Sequence, residues 1–199
     1  MTADPAVLRR ELTALAARQA GYFTAAQARE VGYSYPAQKY HVDRGNWERA
    51  RRGIFRIPNW PAREDDTYVL WDLWSAGRAV LSHETALAVR DLGDVNPVHV
   101  HMTVPPGFRA GDPALVLHRA DLGLADVEDR EGYRVTTVER SLLDTAAGDM
   151  SQELVESAIS DAVSRRLVRP RHLRSRSDEF GPRAALRIER ALSAEKAEA

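Results

Sequence analysis

The sequence contains no cysteine, only two lysines and no long apolar run, and each absence removes a class of protein. Without cysteine there are no disulfides and no thiolate metal sites. No apolar segment approaches the roughly 18 residues that a membrane span requires. The N-terminal residues also lack the basic and apolar regions of a signal peptide. We therefore expect a cytoplasmic protein with no membrane partner.

The chain also has little net charge, −1 over 199 residues, but its charges are distributed unevenly. Residues 1–60 carry a net charge of +5, residues 61–160 carry −10, and residues 161–199 carry +4. A basic head suits contact with phosphate, and an acidic middle suits a different partner. The acidic residues can also serve only to keep a folded domain soluble.

The pattern of residues 1–60 predicts a helix, a tight turn, two further helices and a β-hairpin. Thr24 and Ser34 are typical N-caps, and Gly32 ends the helix between them. Gly53 gives the hairpin turn its backbone freedom. The predicted helices span about 5–19, 25–31 and 35–44, and the hairpin runs span 47–50 and 54–57. This is the order of a winged helix-turn-helix, in which one helix enters the DNA major groove and the wing contacts the neighbouring backbone.

Several side chains of the third helix and the hairpin have the chemistry needed to contact double-stranded DNA. Glutamine can bind adenine through two hydrogen bonds, lysine can contact guanine or phosphate, and hydroxyls can contact either. Arginines on the wing add affinity without sequence information. Ala37 and His41 are expected to face inward. The alternative is a three-helix bundle with a solvated basic face. The candidate residues are Ser34, Tyr35, Gln38, Lys39 and Arg44 of the third helix, and Arg49, Arg51 and Arg52 of the wing.

The remainder of the chain predicts a mixed α/β domain, which makes the whole protein α+β. Prolines at 58 and 61 and the charged run 63–66 predict a linker, so the domains are expected at 1–60 and 64–199. Strict alternation of apolar residues over 98–104 is typical of a strand. A helix of about a dozen residues is predicted from residue 68. Further helices are predicted at 83–92, 138–147, 154–166 and 182–196, and further strands at 115–118 and 133–138.

Three groups of residues suggest enzymatic chemistry, and each has a simpler interpretation. His99 and His101 share a strand face with His118 on a possible neighbouring strand, which would suit a metal ion. The run 82–84 contains serine, histidine and glutamate, but helical neighbours point in different directions and capping explains them. Acidic residues at 126 and 128 are expected in a solvated loop. We therefore predict no enzyme, with no catalytic, cofactor-binding or metal-binding residues.

Four segments in order resemble the AbiEi-type antitoxins and related transcriptional regulators. No single segment is specific, but their order is, and the resemblance covers most of residues 20–165. The segments are Gly21–Ala28, Arg51–Ile57, Ala79–Leu87 and Val135–Asp144. Phe55 and Pro36 depart from the family pattern and the third helix is less basic than usual, so base specificity cannot be transferred from relatives.

The resemblance implies an antitoxin that neutralises a nucleotidyltransferase-like toxin through its C-terminal domain. It further implies autorepression, in which the winged helix-turn-helix binds inverted repeats in the promoter shared with the toxin, and possible self-association. Some longer relatives continue into a nuclease-like domain, but the acidic pair followed by a catalytic lysine that is expected of that nuclease class is absent, since the only lysines are Lys39 and Lys196. The alternative function is a stand-alone winged-helix transcription factor with a ligand-sensing C-terminal domain.

Overall fold

The computed structural model describes residues 4–198, and the side chains through residue 194. The chain divides into two compact units. The first comprises the residues up to Arg78 together with Arg130–Tyr133, and the second comprises Ala79–Asp129 and the residues from Arg134 onward. This boundary lies further along the chain than the linker predicted near 60–64. The assignment of separate functions to 1–60 and 64–199 stays a prediction.

The first unit combines helices with a small antiparallel sheet of strand order β1-β3-β2. Phe55 of β3 lies opposite Phe23 on one side and Arg49 on the other, and the register shifts between Arg49 and Arg51. Within the described residues its elements are α1 Pro5–Ala17, β1 Tyr22–Thr24, α2 Ala25–Val31, α3 Tyr35–Asp43, β2 Glu48–Arg51, β3 Ile54–Arg56 and α4 Asp66–Trp74.

Local capping explains where the short helices begin. The Thr24 hydroxyl accepts a hydrogen bond from the Gln27 backbone N–H, and the Gln27 side chain accepts one from the Thr24 N–H in return. This reciprocal pair satisfies two backbone donors that a helix start leaves without partners. Gly32, with φ of 122°, then ends α2 after two turns.

The core of the first unit is aromatic. Phe23, Trp47 and Phe55 are buried together, and the rings of Phe23 and Trp47 meet edge to face at a centroid distance of 4.9 Å. Leu12 and Ala16 of α1 close the cluster from the other side. Each large buried side chain contributes about 1.5–3 kcal/mol by leaving water, so these rings hold α1 and the hairpin in one structure.

Helix α4 packs on the hairpin through two arginines. The Arg51 guanidinium lies 4.0 Å from the centre of the Trp71 ring, and Arg56 forms an ion pair with the buried Asp66. A guanidinium over an indole face is attracted by the quadrupole of the ring. These contacts are the physical reason why α4 belongs to the first unit, although the sequence places it after a linker.

From Ala79 onward the described chain forms a mixed sheet and a group of helices. The sheet order is β6-β5-β4-β8-β7, with β4 antiparallel to β5 and parallel to β8, and β5 parallel to β6. Its elements are β4 Val80–Leu81, α5 His83–Ala88, β5 Val100–Val104, β6 Leu115–Arg119, β7 Val127–Arg130, β8 Tyr133–Thr136, α6 Val138–Ala147, α7 Gln152–Ser164, α8 Pro170–Ser177 and α9 Pro182–Glu198.

The helices of the second unit share one apolar core. Leu142, Ile159, Leu173 and Ile188, from α6 to α9 in turn, are all fully buried in it. The chain after α5 approaches α7 so closely that a Cβ added to Gly93 would lie 2.7 Å from the Cβ of Ala158 and 2.8 Å from its backbone nitrogen. Gly93 therefore allows both a tight helix contact and its own φ of +75°.

The mixed α/β character of the chain agrees with the sequence prediction. The structure adds β1, β4, β7 and α8, which the sequence pattern did not predict. The predicted helix 83–92 ends earlier, at Ala88, and the strand predicted from 98 begins at Val100. Strand β4 has only two residues and α8 is mostly arginine and serine, so neither carries a periodic apolar pattern.

Candidate nucleic-acid interface

Helix α3 presents a polar and aromatic face to solvent. Ser34 caps the helix by accepting a hydrogen bond from the Ala37 N–H, and Pro36 occupies the first turn, where no backbone donor is required. Tyr35 and Tyr40 are 60% and 54% exposed. Two exposed tyrosines on one short helix are unusual for a surface that only has to be soluble, and they mark this face as a candidate contact surface.

The structure corrects the prediction for Gln38, which was expected on the outward face. Gln38 is 2% exposed, and its side-chain amide donates hydrogen bonds to the carbonyl oxygens of Ala25 and Tyr33. These two carbonyls lie at the start of α2 and in the turn before α3. Gln38 therefore joins the two helices and cannot reach a base edge.

The other predicted residues of α3 lie where a partner could reach them. Lys39 is exposed and forms an ion pair with Asp43 at 2.5 Å, one helical turn away. Arg44 is exposed beside the Tyr40 ring, with its guanidinium carbon 5.5 Å from the ring centre. Tyr40 was not among the predicted residues. Tyr40 follows Pro36 by four residues, which places both on one face of α3, and this spacing was the signal available in the sequence.

Helix α2 contributes an arginine to the same face. Arg29 Nη1 donates a hydrogen bond to the Tyr35 hydroxyl at 3.3 Å, and its guanidinium carbon lies 5.1 Å from the centre of that ring. This bond is the main cause of the raised pKa of Arg29. Sequence reasoning missed Arg29, because the contact depends on the angle at which α2 meets α3.

His41 faces inward, as expected. Its ring stacks on Trp47 with centroids 4.8 Å apart and planes 16° apart. Burial lowers the pKa of His41 below its usual value of 6.5. The imidazole is therefore neutral near pH 7 and packs as an aromatic ring.

The three hairpin arginines occupy different environments. Arg52 is exposed in the turn, and Arg49 is exposed with its guanidinium carbon 5.2 Å from the centre of the Phe55 ring. Arg51 is only partly exposed because it stacks on Trp71. Of the three, Arg49 and Arg52 have the side chains most accessible to a phosphate.

Three histidines of the second unit meet on one side of its sheet. The rings of His83 and His118 stack with centroids 3.4 Å apart, and His101 Nδ1 lies 3.2 Å from His118 Nε2. The predicted proximity of His101 and His118 is confirmed, whereas His99 is exposed and precedes β5. Burial, with His118 nearby, lowers the pKa of His83 to about 3, and burial, with His101 nearby, lowers the pKa of His118 to about 4.

The structure changes the interpretation of the serine, histidine and glutamate at 82–84. His83 Nδ1 lies 2.9 Å from Ser82 Oγ, so the expectation that these neighbours point apart is wrong. His83 has a φ of +52°, in the left-handed region that non-glycine residues seldom adopt. Ser82 makes no side-chain cap hydrogen bond, so its expected capping role is also wrong.

Glu84 does not complete a catalytic triad with these residues. Its Oε2 lies 2.7 Å from His101 Nδ1, so it pairs with a different histidine from the one beside Ser82. Among the described residues, no group of three or more histidines, aspartates or glutamates is placed to hold a metal ion. The cluster is a buried polar contact between α5 and the sheet.

Asp126 was expected in a solvated loop and is instead buried. Its carboxylate pairs with Arg140 Nη1 at 3.2 Å and Arg176 Nη2 at 3.0 Å. Arg140 also pairs with the buried Asp144, whose pKa burial raises to about 6 although Arg140 opposes this shift. The acidic residue therefore joins α6 to α8, and the sequence could not show this because its partners lie 14 and 50 residues away.

In the part of the chain that the structure describes, no helix is both long enough and apolar enough to span a membrane.

Comparison with known proteins finds a family that is similar to part of the first unit. The family model described as "Transcriptional regulator, AbiEi antitoxin" matches residues 10–58, about a quarter of the chain. The predicted resemblance is confirmed for these residues, and the segments at 79–87 and 135–144 lie outside the match. No curated protein matches the chain at a significant level.

Among solved structures, the RV2827C protein from Mycobacterium tuberculosis is similar at 16% identity and a TM-score of 0.48. The match covers 97% of this chain and 83% of that one.

Proposed function

We propose that this chain, whose residues 10–58 match the AbiEi antitoxin transcriptional regulators, binds its own promoter and neutralises a toxin encoded beside it. DNA binding is assigned to a winged helix-turn-helix in the first unit. Neutralisation is assigned to residues 64–199, which follow the matched segment.

The order of elements in the matched segment carries the DNA-binding proposal. Helix α1, strand β1, helices α2 and α3, and the hairpin β2–β3 follow one another, and β1 pairs with β3. In a winged helix-turn-helix the second helix of the turn enters the major groove and the hairpin contacts the backbone. Helix α3 fits this role because it exposes Tyr35, Lys39, Tyr40 and Arg44.

The contacts divide into two kinds. Arg49 and Arg52 of the hairpin suit phosphates, whose recognition adds affinity and salt dependence without sequence preference. Lys39, Tyr35 and Tyr40 suit base edges, with the tyrosine rings also able to contact a thymine methyl group. Because Gln38 is buried, the proposed interface reads sequence through lysine and tyrosine rather than through glutamine.

Replacing Arg49 and Arg52 together by alanine is expected to weaken binding to promoter DNA about tenfold whatever the sequence, because two phosphate contacts are lost. The slope of log affinity against log salt concentration should fall by about 2. Fluorescence anisotropy over a salt series measures both quantities. Arg10→Ala, which removes an exposed arginine of α1, is the matched control and should change neither. An unchanged salt slope in the double variant would exclude the hairpin as a wing.

The antitoxin assignment rests on the family description. We propose that this chain acts on a nucleotidyltransferase-like toxin, binds inverted repeats and self-associates. Two-fold related half-sites would then be occupied by two copies of the chain. The change from a basic N-terminal segment, net +5, to an acidic middle segment, net −10, supports two surfaces with different partners.

Co-expression with the neighbouring gene is expected to restore growth to cells that the second gene product alone arrests. The Arg49→Ala, Arg52→Ala double variant, expressed from an unrelated promoter, should rescue growth as well as the unaltered chain does. The reason is that the substitutions lie in the hairpin, whereas neutralisation is assigned to residues 64–199. Growth curves and a promoter reporter, measured in the same strains, separate the two activities.

Two results would contradict parts of this proposal. Failure of the unaltered chain to rescue growth, with promoter binding intact, would favour a stand-alone transcription factor. Loss of rescue in the double variant, with its fold intact, would show that the first unit takes part in neutralisation.

A further inference from the structure

A cleft of about 650 Å³ lies in the first unit between α1 and α3. Leu8 and Leu12 of α1 form one wall, and Ala37 and His41 of α3 form the opposite wall. Binding pockets for small molecules commonly have volumes of roughly 300–1,000 Å³. The cleft is therefore large enough for a small organic ligand.

The floor of the cleft is aromatic. Tyr33, His41 and Trp47 line it, with Trp47 stacked on His41 and meeting Tyr33 edge to face at 5.0 Å. Trp47 is held from behind by Phe23 at a centroid distance of 4.9 Å. The packing fixes these rings, so they offer a rigid apolar surface that loses little entropy when a flat molecule binds.

The rim of the cleft carries one permanently charged side chain, Arg9 of α1, among the residues that line it. Arg9 and Tyr33 both line the cleft, and the charge of Arg9 partly opposes the rise in the pKa of the Tyr33 hydroxyl that burial causes. Asn46 Nδ2, at 3.2 Å from His41 Nδ1, adds a further polar group. No ion pair joins Arg9 to an acidic residue in the part of the chain that the structure describes.

We propose that this cleft binds a ring-containing organic acid, with its anionic group on Arg9 and its apolar body against Trp47 and His41. A guanidinium and a hydroxyl donor that line the same cleft are suitable partners for a carboxylate or sulfonate. The apolar walls at Leu8 and Ala37 fit the body of such a molecule and offer nothing to a strongly hydrated ion.

The site also gives the ligand a way to act on DNA binding, a step that rests on the proposed function. Ala37 and His41 face the cleft, while Lys39 and Tyr40 of the same helix face solvent. A ligand that contacts both α1 and α3 favours one position of α3 relative to α1. By linkage, DNA and ligand then change each other's affinity by the same factor.

The test uses anilinonaphthalene sulfonate, a fluorescent aromatic anion, with the full chain. The unaltered protein is expected to bind one equivalent. Arg9→Gln should weaken binding about tenfold through loss of a charge-assisted hydrogen bond, whereas Arg10→Gln, on the next residue of α1, should not. Thr13→Phe, at the edge of the cleft, should abolish binding by filling it, whereas Ala17→Phe, an exposed position one turn along α1, should not. Thermal unfolding confirms that each variant is folded.

The results separate this site from the proposed function. Probe binding that ignores both Arg9→Gln and Thr13→Phe, or absent binding, would overturn the site. A dimer that Thr13→Phe dissociates, without probe binding, would identify a second copy of the chain as the occupant. Probe binding that follows the predicted pattern in a protein that binds no DNA would keep the site and reject the proposed function. Equal DNA affinity with and without saturating probe would reject the regulatory step alone.

Discussion

Replacing Gly93 by alanine is expected to lower the free energy of unfolding of the second unit by about 3 kcal/mol. The new methyl group would lie under 3 Å from the Cβ, the backbone nitrogen and the Cα of Ala158, so α7 would have to move. A φ of +75° also strains alanine. Urea unfolding followed by far-ultraviolet circular dichroism measures the loss.

Gly111→Ala is the matched control for this substitution. No atom lies within 4 Å of a Cβ added there, so its stability should remain close to that of the unaltered protein. Under the proposed function, Gly93→Ala should reduce rescue of growth more than it reduces promoter binding, since the strain falls in the second unit. Equal stability of the two alanine variants would contradict the close approach of α7.

Acidification is expected to destabilise the second unit steeply between about pH 6.5 and pH 4. The pKa of His83 is lowered from 6.5 to about 3 and that of His118 to about 4, in each case mainly by burial. Below pH 6.5 the two histidines therefore bind protons in the unfolded chain but remain neutral in the folded chain. The contribution of these histidines to the free energy of unfolding is fully present above pH 6.5 and decreases as the pH falls toward their folded-state pKa values. His83 alone should account for up to about 3 kcal/mol by pH 4.

Asp144 acts in the opposite direction over part of this range. Burial raises its pKa from 3.8 to about 6, so the folded chain holds a proton that the unfolded chain releases. This group adds stability as the pH falls from 6 toward 4. Two histidines with large shifts outweigh one carboxyl, and the net slope stays positive with pH.

His83→Asn tests the assignment of the pH dependence to the histidine cluster. Asparagine tolerates a positive φ and can keep a hydrogen bond to Ser82, but it does not titrate. Urea midpoints from pH 4 to pH 8 should become less dependent on pH in this variant. They should keep their dependence in His99→Gln, which removes an exposed histidine. A profile unchanged by His83→Asn would show that other groups cause the acid sensitivity.

The sequence predicted the first unit well where the signals are local. Thr24 and Ser34 both cap helices, and the helices they start match the predicted ranges to within one residue. Caps, glycines and prolines act within a few positions of themselves, so a single sequence contains what is needed. The inward direction of His41 also follows from its spacing to Ala37.

Long-range packing explains why two residues that the sequence predicted to be exposed are buried. Gln38 is a polar residue on a short helix, and its type alone predicts exposure to solvent, yet its side-chain amide donates to two carbonyls of the neighbouring turn and helix. The burial of Asp126 depends on Arg176, which lies 50 residues away. Contacts of this kind depend on tertiary geometry, which helical periodicity does not encode.

The stacking of Arg51 on Trp71 shows that the family match ends before the structural support of the hairpin does. Similarity to the family ends at residue 58, but the hairpin is braced by an indole ring and by the Asp66 carboxylate, both beyond that point. The position of the hairpin therefore also depends on residues that lie outside the matched segment. A segment that is transferred to another protein must therefore include α4. A segment that ends at residue 58 would lack the contacts that hold the hairpin.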